Sequence, residues 1–345
     1  MTAPKVSVII PCYNLGRYLD EAVDSVLAQS FQDFEIVIVD DGSTDPATCR
    51  FLADYRKPRT RIVRSENHGL PAAKNLGVAH TTGPYICALD ADDRADPKLL
   101  ERSVAALDED PSLAFVSHWL RTFGDETKDW TPVSCDLPAL LDMNTVNGAA
   151  LVRRKAIEAV GGGFDETMRD GCEDWDLWIT LVERGFRGRI LPEVLYYYRR
   201  RAGSMSKLMV RGDGHLRLYR FLAQKHADSY REHVSALLVR REVDICNLRR
   251  HVHDLELEYH RWMAPEIAKQ RDDAAVRERK LARDRTHLEA ALEVARTRAF
   301  ELDAALNHAR SEGDALRQSM SWRITAPLRA VYERLLFLKG PRREP

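Results

Sequence analysis

Tyr85-Ile86-Cys87-Ala88-Leu89-Asp90-Ala91-Asp92-Asp93 is an apolar run that ends abruptly in three carboxylates. Apolar residues without polar alternation read as a strand covered on both faces, the kind found in parallel sheets with helices on either side. Acids at the end of such a strand put charge at the carboxyl edge of the sheet, where open α/β sheets collect their ligands. Alternate residues at a strand terminus can converge on one ion, and the hard oxygens of Asp90 and Asp92 suit Mn2+ or Mg2+. Surface loops produce Asp-x-Asp by chance; its place after a buried strand is what gives this copy weight.

The flanking sequence supports such a sheet. Strand-like runs at 6–10, 34–39, 60–64 and 114–117 alternate with helical spacing at 18–29, 46–55, 70–80 and 97–107. The expected fold class is α/β, a Rossmann-like, mostly parallel sheet flanked by helices. The other strand ends are polar too: Pro11-Cys12-Tyr13-Asn14, Asp40-Asp41-Gly42-Ser43 and Glu66-Asn67-His68-Gly69. A dinucleotide enzyme would need G-x-G-x-x-G in the first βα turn, but residues 11–18 contain only Gly16, which argues against a dehydrogenase. A bound diphosphate must then be neutralised by other means, and a metal at the Asp90–Asp92 turn is one. Farther along, Glu173-Asp174 precedes a helical run with Trp175 and Trp178. Acids favour a helix N-terminus, while the tryptophans read equally as a sugar platform or as core.

With 345 residues the chain fits roughly two domains at about 150 residues each. A net charge of -1 excludes a polybasic nucleic-acid binder. Six cysteines without a CxxC pair read as small buried residues of a reducing compartment. Neither a secretory signal nor an apolar stretch near the roughly 20 residues of a membrane span is visible. The expected location is cytoplasmic, or peripheral at the cytoplasmic face of the inner membrane.

Taken in order, Val8-Ile9-Ile10-Pro11-Cys12-Tyr13-Asn14, Val39-Asp40-Asp41-Gly42-Ser43-Thr44-Asp45, Asn67-His68-Gly69 with Ala73-Lys74-Asn75-Leu76-Gly77, Leu89-Asp90-Ala91-Asp92-Asp93, Gly161-Gly162-Gly163-Phe164-Asp165-Glu166 and Glu173-Asp174-Trp175-Asp176-Leu177-Trp178 resemble the motifs of glycosyltransferase family 2. The resemblance spans roughly residues 5–207 and implies the GT-A fold. It implies that Pro11, Tyr13 and Asp41 line the nucleobase and ribose pocket, that Asp90 meets the ribose, and that Asp92 holds the metal and diphosphate of a nucleotide-sugar donor. It also implies that Asp174 is the catalytic base of an inverting transfer to a glycan or lipid-linked hydroxyl, with Glu173 and Trp175 on the acceptor side. Glu173 would raise the pKa of Asp174 by like-charge repulsion. Lys74 stands where the family usually has Arg and keeps a charge for phosphate. Arg201 stands where a His is usual, so it is read as a direct phosphate contact, with His118 and His215 as substitute metal ligands. Arg153 and Arg154 are candidates for an anionic acceptor.

From about 208 the character changes. Leu238, Arg241, Ile245, Leu248, Val252, Leu255, Tyr259 and Trp262 follow steps of three and four, as do Leu288, Leu292, Ala295, Ala299, Leu302, Leu306, Ala309, Gly313, Leu316 and Met320. Sustained heptads predict a coiled coil. The expected divisions are a catalytic domain at 1–207, a helical coiled-coil region at 208–320 that sets oligomeric state or length or docks partners, and a basic amphipathic segment at 321–345. That last segment suits an anionic membrane surface or its own protein. Its Ser321-Trp322-Arg323-Ile324-Thr325-Ala326-Pro327-Leu328-Arg329 looks like C-terminal segments of bacterial cell-surface polysaccharide enzymes. Two other classes stay open: a metal-dependent nucleotidyltransferase or phosphohydrolase, and an inactive GT-A scaffold acting through its coiled coil.

Overall fold

The computed structural model describes residues 3–201, 204, 214–269 and 274–318. The segment 321–345 lies outside them. In chain order the elements are β1 (Val6–Cys12), α1 (Gly16–Leu27), β2 (Phe34–Asp41), α2 (Pro46–Ala53), β3 (Thr60–Ser65), α3 (Leu70–Ala79), β4 (Tyr85–Ala88), β5 (Arg94–Ala95), α4 (Leu99–Glu109), β6 (Leu113–Gly124), β7 (Asp129–Trp130), α5 (Leu137–Asp142), β8 (Leu151–Arg153), α6 (Arg154–Ala159), α7 (Glu173–Glu183) and β9 (Arg187–Arg200). Three helices follow: α8 (Gly214–Lys225), α9 (Ala227–Lys269) and α10 (Ala274–Gln318). The chain divides after Ser229 into two compact units.

The first unit is built on a nine-stranded sheet ordered β3-β2-β1-β4-β8-β6-β9-β5, with β7 paired to β6. Its first half is parallel, as the apolar runs predict: β1 is buried at every residue and β2 at all but one. β3, at the edge, alternates between half-buried and exposed positions, and its Arg61 and Arg64 point to solvent-side partners. Beyond β4 the sheet becomes mixed, because β8 pairs antiparallel with both β4 and β6 while β9 runs parallel to β6. The three-residue β8 is too short to leave a periodic signal, and β9 mixes four arginines with its apolar residues, so neither reads clearly as a strand from sequence.

Helix starts follow local chemistry. Asp45 caps α2 by accepting from Thr48 N at 2.8 Å, with Pro46 next to it, and Asp136 caps α5 by accepting from Ala139 N at 2.9 Å. Each such cap contributes about 1 kcal/mol. Glycines matter where backbones crowd. Gly42 has φ +68 and lies so close to the next strand's loop that a Cβ would stand 2.6 Å from Asn67 N. Gly77 lets α3 settle on β1, where a Cβ would meet Ile9 Cγ2 at 2.3 Å.

α8 belongs to this first unit. Its Leu218 and Leu222 are buried, and Tyr219 donates to Asp142 O at 2.9 Å and meets the Trp175 ring edge-on. The first compact unit therefore continues past residue 207 to Ser229. All six cysteines are free. No helix among the described residues is long and apolar enough to cross a membrane.

The second unit contains the long helices α9 and α10, which run antiparallel. Arg310 pairs with Glu242, Arg249 with Asp303 and Arg296 with Glu256, so each step of seven along one helix is a step of seven back along the other. Ile245, Ala295 and Leu306, all on the heptad positions read from the sequence, are the buried apolar residues of this pair.

Gly77→Val adds the Ile9 clash without the helix propensity that Ala would gain. It should lower stability by about 1–3 kcal/mol, read as a fall in the urea midpoint at constant slope; an unmoved midpoint would refute the close α3–β1 contact.

Candidate active site

The Asp90–Asp93 turn follows β4 directly, and its acids have separate partners. Asp92 is half-buried and its Oδ2 accepts from Arg201 Nε at 2.7 Å. Asp93 is buried and takes the Tyr196 hydroxyl and Arg199 N, the latter at 2.6 Å. Arg199 Nε also reaches Asp92 O at 2.7 Å, while its guanidinium stacks on Tyr18 and Phe123 at 4.8 and 4.3 Å. The end of β9 thus closes over the acidic turn. Sequence reading found Arg201 but missed Tyr196 and Arg199, whose role depends on a strand contact about 105 residues away along the chain.

Lys74 sits at the centre. It is 2% exposed, and its Nζ lies 2.5 Å from Glu173 Oε1. Burial alone would drive the ammonium towards neutrality, but Glu173, Asp90 and Asp174 together hold its pKa above the ordinary lysine value. Around this cation the acids are frustrated. Burial raises Asp90 to about 6, Lys74 opposes this, and Asp92 and Glu173 add to it. Asp174 is likewise raised to about 6, by burial first and Glu173 second, against Lys74 and the hydrogen bonds from Trp175 and Asn144. Such values suit a group that must accept a proton near neutral pH. Asn144 Nδ2 donates to Asp174 Oδ2 at 3.2 Å, and a Cβ on Gly148 would stand 3.7 Å from the same oxygen. Asn144, in an irregular stretch, was not visible as a candidate from sequence.

At the other end of the sheet edge, Tyr13 is 43% exposed and open to a ligand, while Pro11 is buried in β1. Asp41 is 4% exposed and accepts from His68 N and Gly69 N, both at 2.9 Å, so its carboxylate ties down the loop before α3. Asn14, with φ 56, accepts from Thr44 N and Asp45 N and fastens the first strand's loop to the second's.

Several expected contacts are placed elsewhere. Trp175 is 3% exposed, donates its indole N–H to Leu140 O at 2.6 Å and packs as core, so it offers no platform to an acceptor. Glu173 is 2% exposed and its carboxylate is spent on Lys74, which in turn leaves Lys74 facing Glu173 instead of an open phosphate site. Arg153 and Arg154 donate to main-chain oxygens of Leu113, Leu107, Gly83 and Val78 and so staple the sheet to its neighbours. His118 is fully buried against Asn147 and Tyr196, with burial lowering its pKa to about 4. His215 stacks edge-on against Tyr219.

Among the described residues no three His, Cys, Asp or Glu side chains form a metal cluster. The turn instead offers two part-exposed carboxylates, Asp90 and Asp92, the latter already balanced by Arg201. That donor set fits a divalent ion shared with substrate phosphates, the usual mode for Mg2+, and does not fit a cage made by protein alone.

The fold and the acidic turn together define a nucleotide-sugar type α/β transferase. The family model for glycosyl transferase family 2 matches residues 7–161. Putative glycosyltransferase EpsE of Bacillus subtilis is 32% identical over 206 residues, which are 57% of this chain and 74% of that protein. Succinoglycan biosynthesis protein ExoO of Rhizobium meliloti is 30% identical over 224 residues, 60% of this chain and 64% of that one. S. aureus TarS 1-349, solved in complex with UDP-GlcNAc, superposes with a TM-score of 0.52 at 23% identity, covering 59% of this chain and 60% of the TarS chain. The chain belongs to glycosyl transferase family 2, and it is a glycosyltransferase with the GT-A fold.

Removing one partner of the Lys74–Glu173 pair strands a buried charge, which costs about 3–5 kcal/mol. Lys74→Met should lose that much in chemical denaturation, and the double variant Lys74→Met/Glu173→Leu should recover most of it. Additive losses in the double variant would show that the pair is not the source.

Proposed function

We propose that the chain transfers a sugar, with inversion, from a nucleoside-diphosphate sugar to a hydroxyl of a glycan or lipid-linked acceptor in cell-surface polysaccharide biosynthesis. The observation that carries the reading is the gathering of Asp90, Glu173 and Asp174 around the single ammonium of Lys74, which sets a proton-accepting carboxylate beside the donor-side turn. ExoO, named for succinoglycan biosynthesis, supports the polysaccharide context.

The donor would lie along the carboxyl edge of the sheet, its nucleoside against Tyr13 and the Asp41-anchored loop, its diphosphate by Asp92. Asp92 would hold Mn2+ or Mg2+, which when bound supplies charge neutralisation for the departing nucleoside diphosphate. Arg201, which grips Asp92 in the free protein, is placed to turn its guanidinium to a phosphate oxygen. Asp174 takes the proton of the acceptor hydroxyl as its oxygen bonds to the anomeric carbon and the bond from that carbon to the diphosphate breaks. One such displacement inverts the anomeric centre. Asn144 keeps the base carboxylate oriented. The helices beyond Ser229 are proposed as a coiled-coil arm for a second copy or another partner, and the segment 321–345 as a peripheral contact at the cytoplasmic face of the inner membrane.

A thermal-shift panel of nucleoside diphosphates and nucleotide sugars, with and without Mn2+, tests the donor. Saturation at a hundred times Kd stabilises the native state by about 2.7 kcal/mol. Asp92→Ala should lose the Mn2+-dependent part of the shift, and a chain that no nucleotide stabilises would sink the reading. Asp174→Asn should keep the donor shift but release nucleoside diphosphate about 10²–10⁴-fold more slowly. Because the base works only when ionised, turnover in the wild type should rise with pH through about 6; a rate flat from pH 5 to 8 would remove Asp174 from that role.

A further inference from the structure

The helix that presents Asp174 carries a third acid that the proposed chemistry leaves unused. Asp176 is 3% exposed. Its Oδ1 accepts from His226 Nε2 at 3.0 Å, and its Oδ2 accepts from Lys225 Nζ at 2.8 Å. Both donors lie at the end of α8, beyond the 7–161 stretch matched by the family model. Each has a second grip. Lys225 reaches Asp165 Oδ2 at 2.5 Å, in the loop whose Phe164 is held at both its N and its O by Asn75. His226 Nδ1 faces Glu183 Oε2 at 2.8 Å, seven residues along α7 from Asp176.

Two carboxylates around one imidazole fix its charge. An ionised carboxylate only accepts hydrogen bonds, so both ring nitrogens must carry hydrogen and His226 is an imidazolium in this arrangement. The charged groups facing it are Asp176 and Glu183 on α7 and Lys225 on α8, with Ser229 on α9 hydrogen-bonded to Glu183. Burial lowers its pKa, but Asp176 and Glu183 outweigh burial and raise it above the ordinary 6.5.

The start of α7 needs such anchors. Its N-cap, Cys172, has φ 63 and makes no side-chain capping bond, so the first turn lacks the usual side-chain cap. Side chains fix it from two directions: Lys74 of α3 holds Glu173, and the α8 pair holds Asp176. Asp174 lies between them. We propose that Lys225 and His226 are positioning residues for the transfer: by holding Asp176 they set the first turn of α7 and thereby the aim of Asp174, and the hold depends on the proton of His226. This rests on Asp174 being the base.

The sign follows from the geometry. The contact is complete below the unfolded-state pKa of about 6.5 and weakens as pH rises through the higher folded-state value, when a ring lone pair comes to face a carboxylate. Turnover should therefore fall on an alkaline limb set by His226, separate from the acid limb set by Asp174.

The test uses the full chain and measures release of nucleoside diphosphate from whichever UDP-, GDP- or dTDP-sugar the wild type turns over fastest. Lys225→Met and His226→Gln should each lower kcat about tenfold or more, since small misplacements of a catalytic group are costly, while donor KM and the donor thermal shift stay within about twofold. Lys225→Arg should restore most of kcat, and the alkaline limb should vanish in His226→Gln. Unchanged kcat in Lys225→Met, or a persistent alkaline limb in His226→Gln, would overturn the proposal. Should His226→Gln not fold, the Lys225 pair of variants decides alone. Asp174→Asn, run in parallel, separates the two readings: release lost there but kept in the Lys225 and His226 variants refutes only the positioning role, whereas release retained in Asp174→Asn removes the base itself.

Discussion

One buried ion pair organises the catalytic body. Lys74 on α3 and Glu173 on α7 come from opposite halves of the sheet, 99 residues apart in sequence, and both are nearly sealed from solvent. Desolvating two charges consumes much of what their attraction returns, so such a pair is weak as a source of stability and strong as a determinant of register. Its neighbour Asn75 clamps the backbone N and O of Phe164, so two consecutive residues of α3 fix where the loop at 161–166 and α7 lie against the parallel strands. Among the described residues the same ammonium is the cation that Glu173, Asp90 and Asp174 share. Burial raises Asp90 and Asp174 first, the neighbouring carboxylates add to it, and the charge of Lys74 offsets only part of the rise.

The parallel half of the sheet and the acidic turn were legible because their information is local. β1 and β4 are apolar at nearly every position and β2 has an apolar centre, and a run of that kind has few other places to go. Asp90, Asp92 and Asp174 could be picked out because each sits at a boundary between an element and a turn. What sequence could not supply was pairing. Nothing near Lys74 says that its charge ends on Glu173, and nothing near Trp175 says whether its ring faces sugar or Leu140. β8 and β9 were hidden for a different reason: β8 is too short to show a period, and β9 is held by backbone pairing to β6 more than by its own composition.

The boundary of the catalytic body shifted for a related reason. Past residue 207 the composition turns charged and helical, which reads as a new region. Yet α8 keeps Leu218 and Leu222 buried and spends Lys225 and His226 on acids of α7. Charge density marked this stretch as surface, whereas Leu218, Leu222 and His226 are buried and the exposed Lys225 is tied to α7 by its ion pair.

The antiparallel pair α9 and α10 has a geometric corollary. Its ion pairs recur at 242, 249 and 256 on one helix and at 310, 303 and 296 on the other. A heptad inserted into both helices at the same level would preserve every pairing and leave the entry and exit of the chain where they are. The length of this helix pair is thus quantised, changing by about 10 Å per heptad at 1.5 Å per residue.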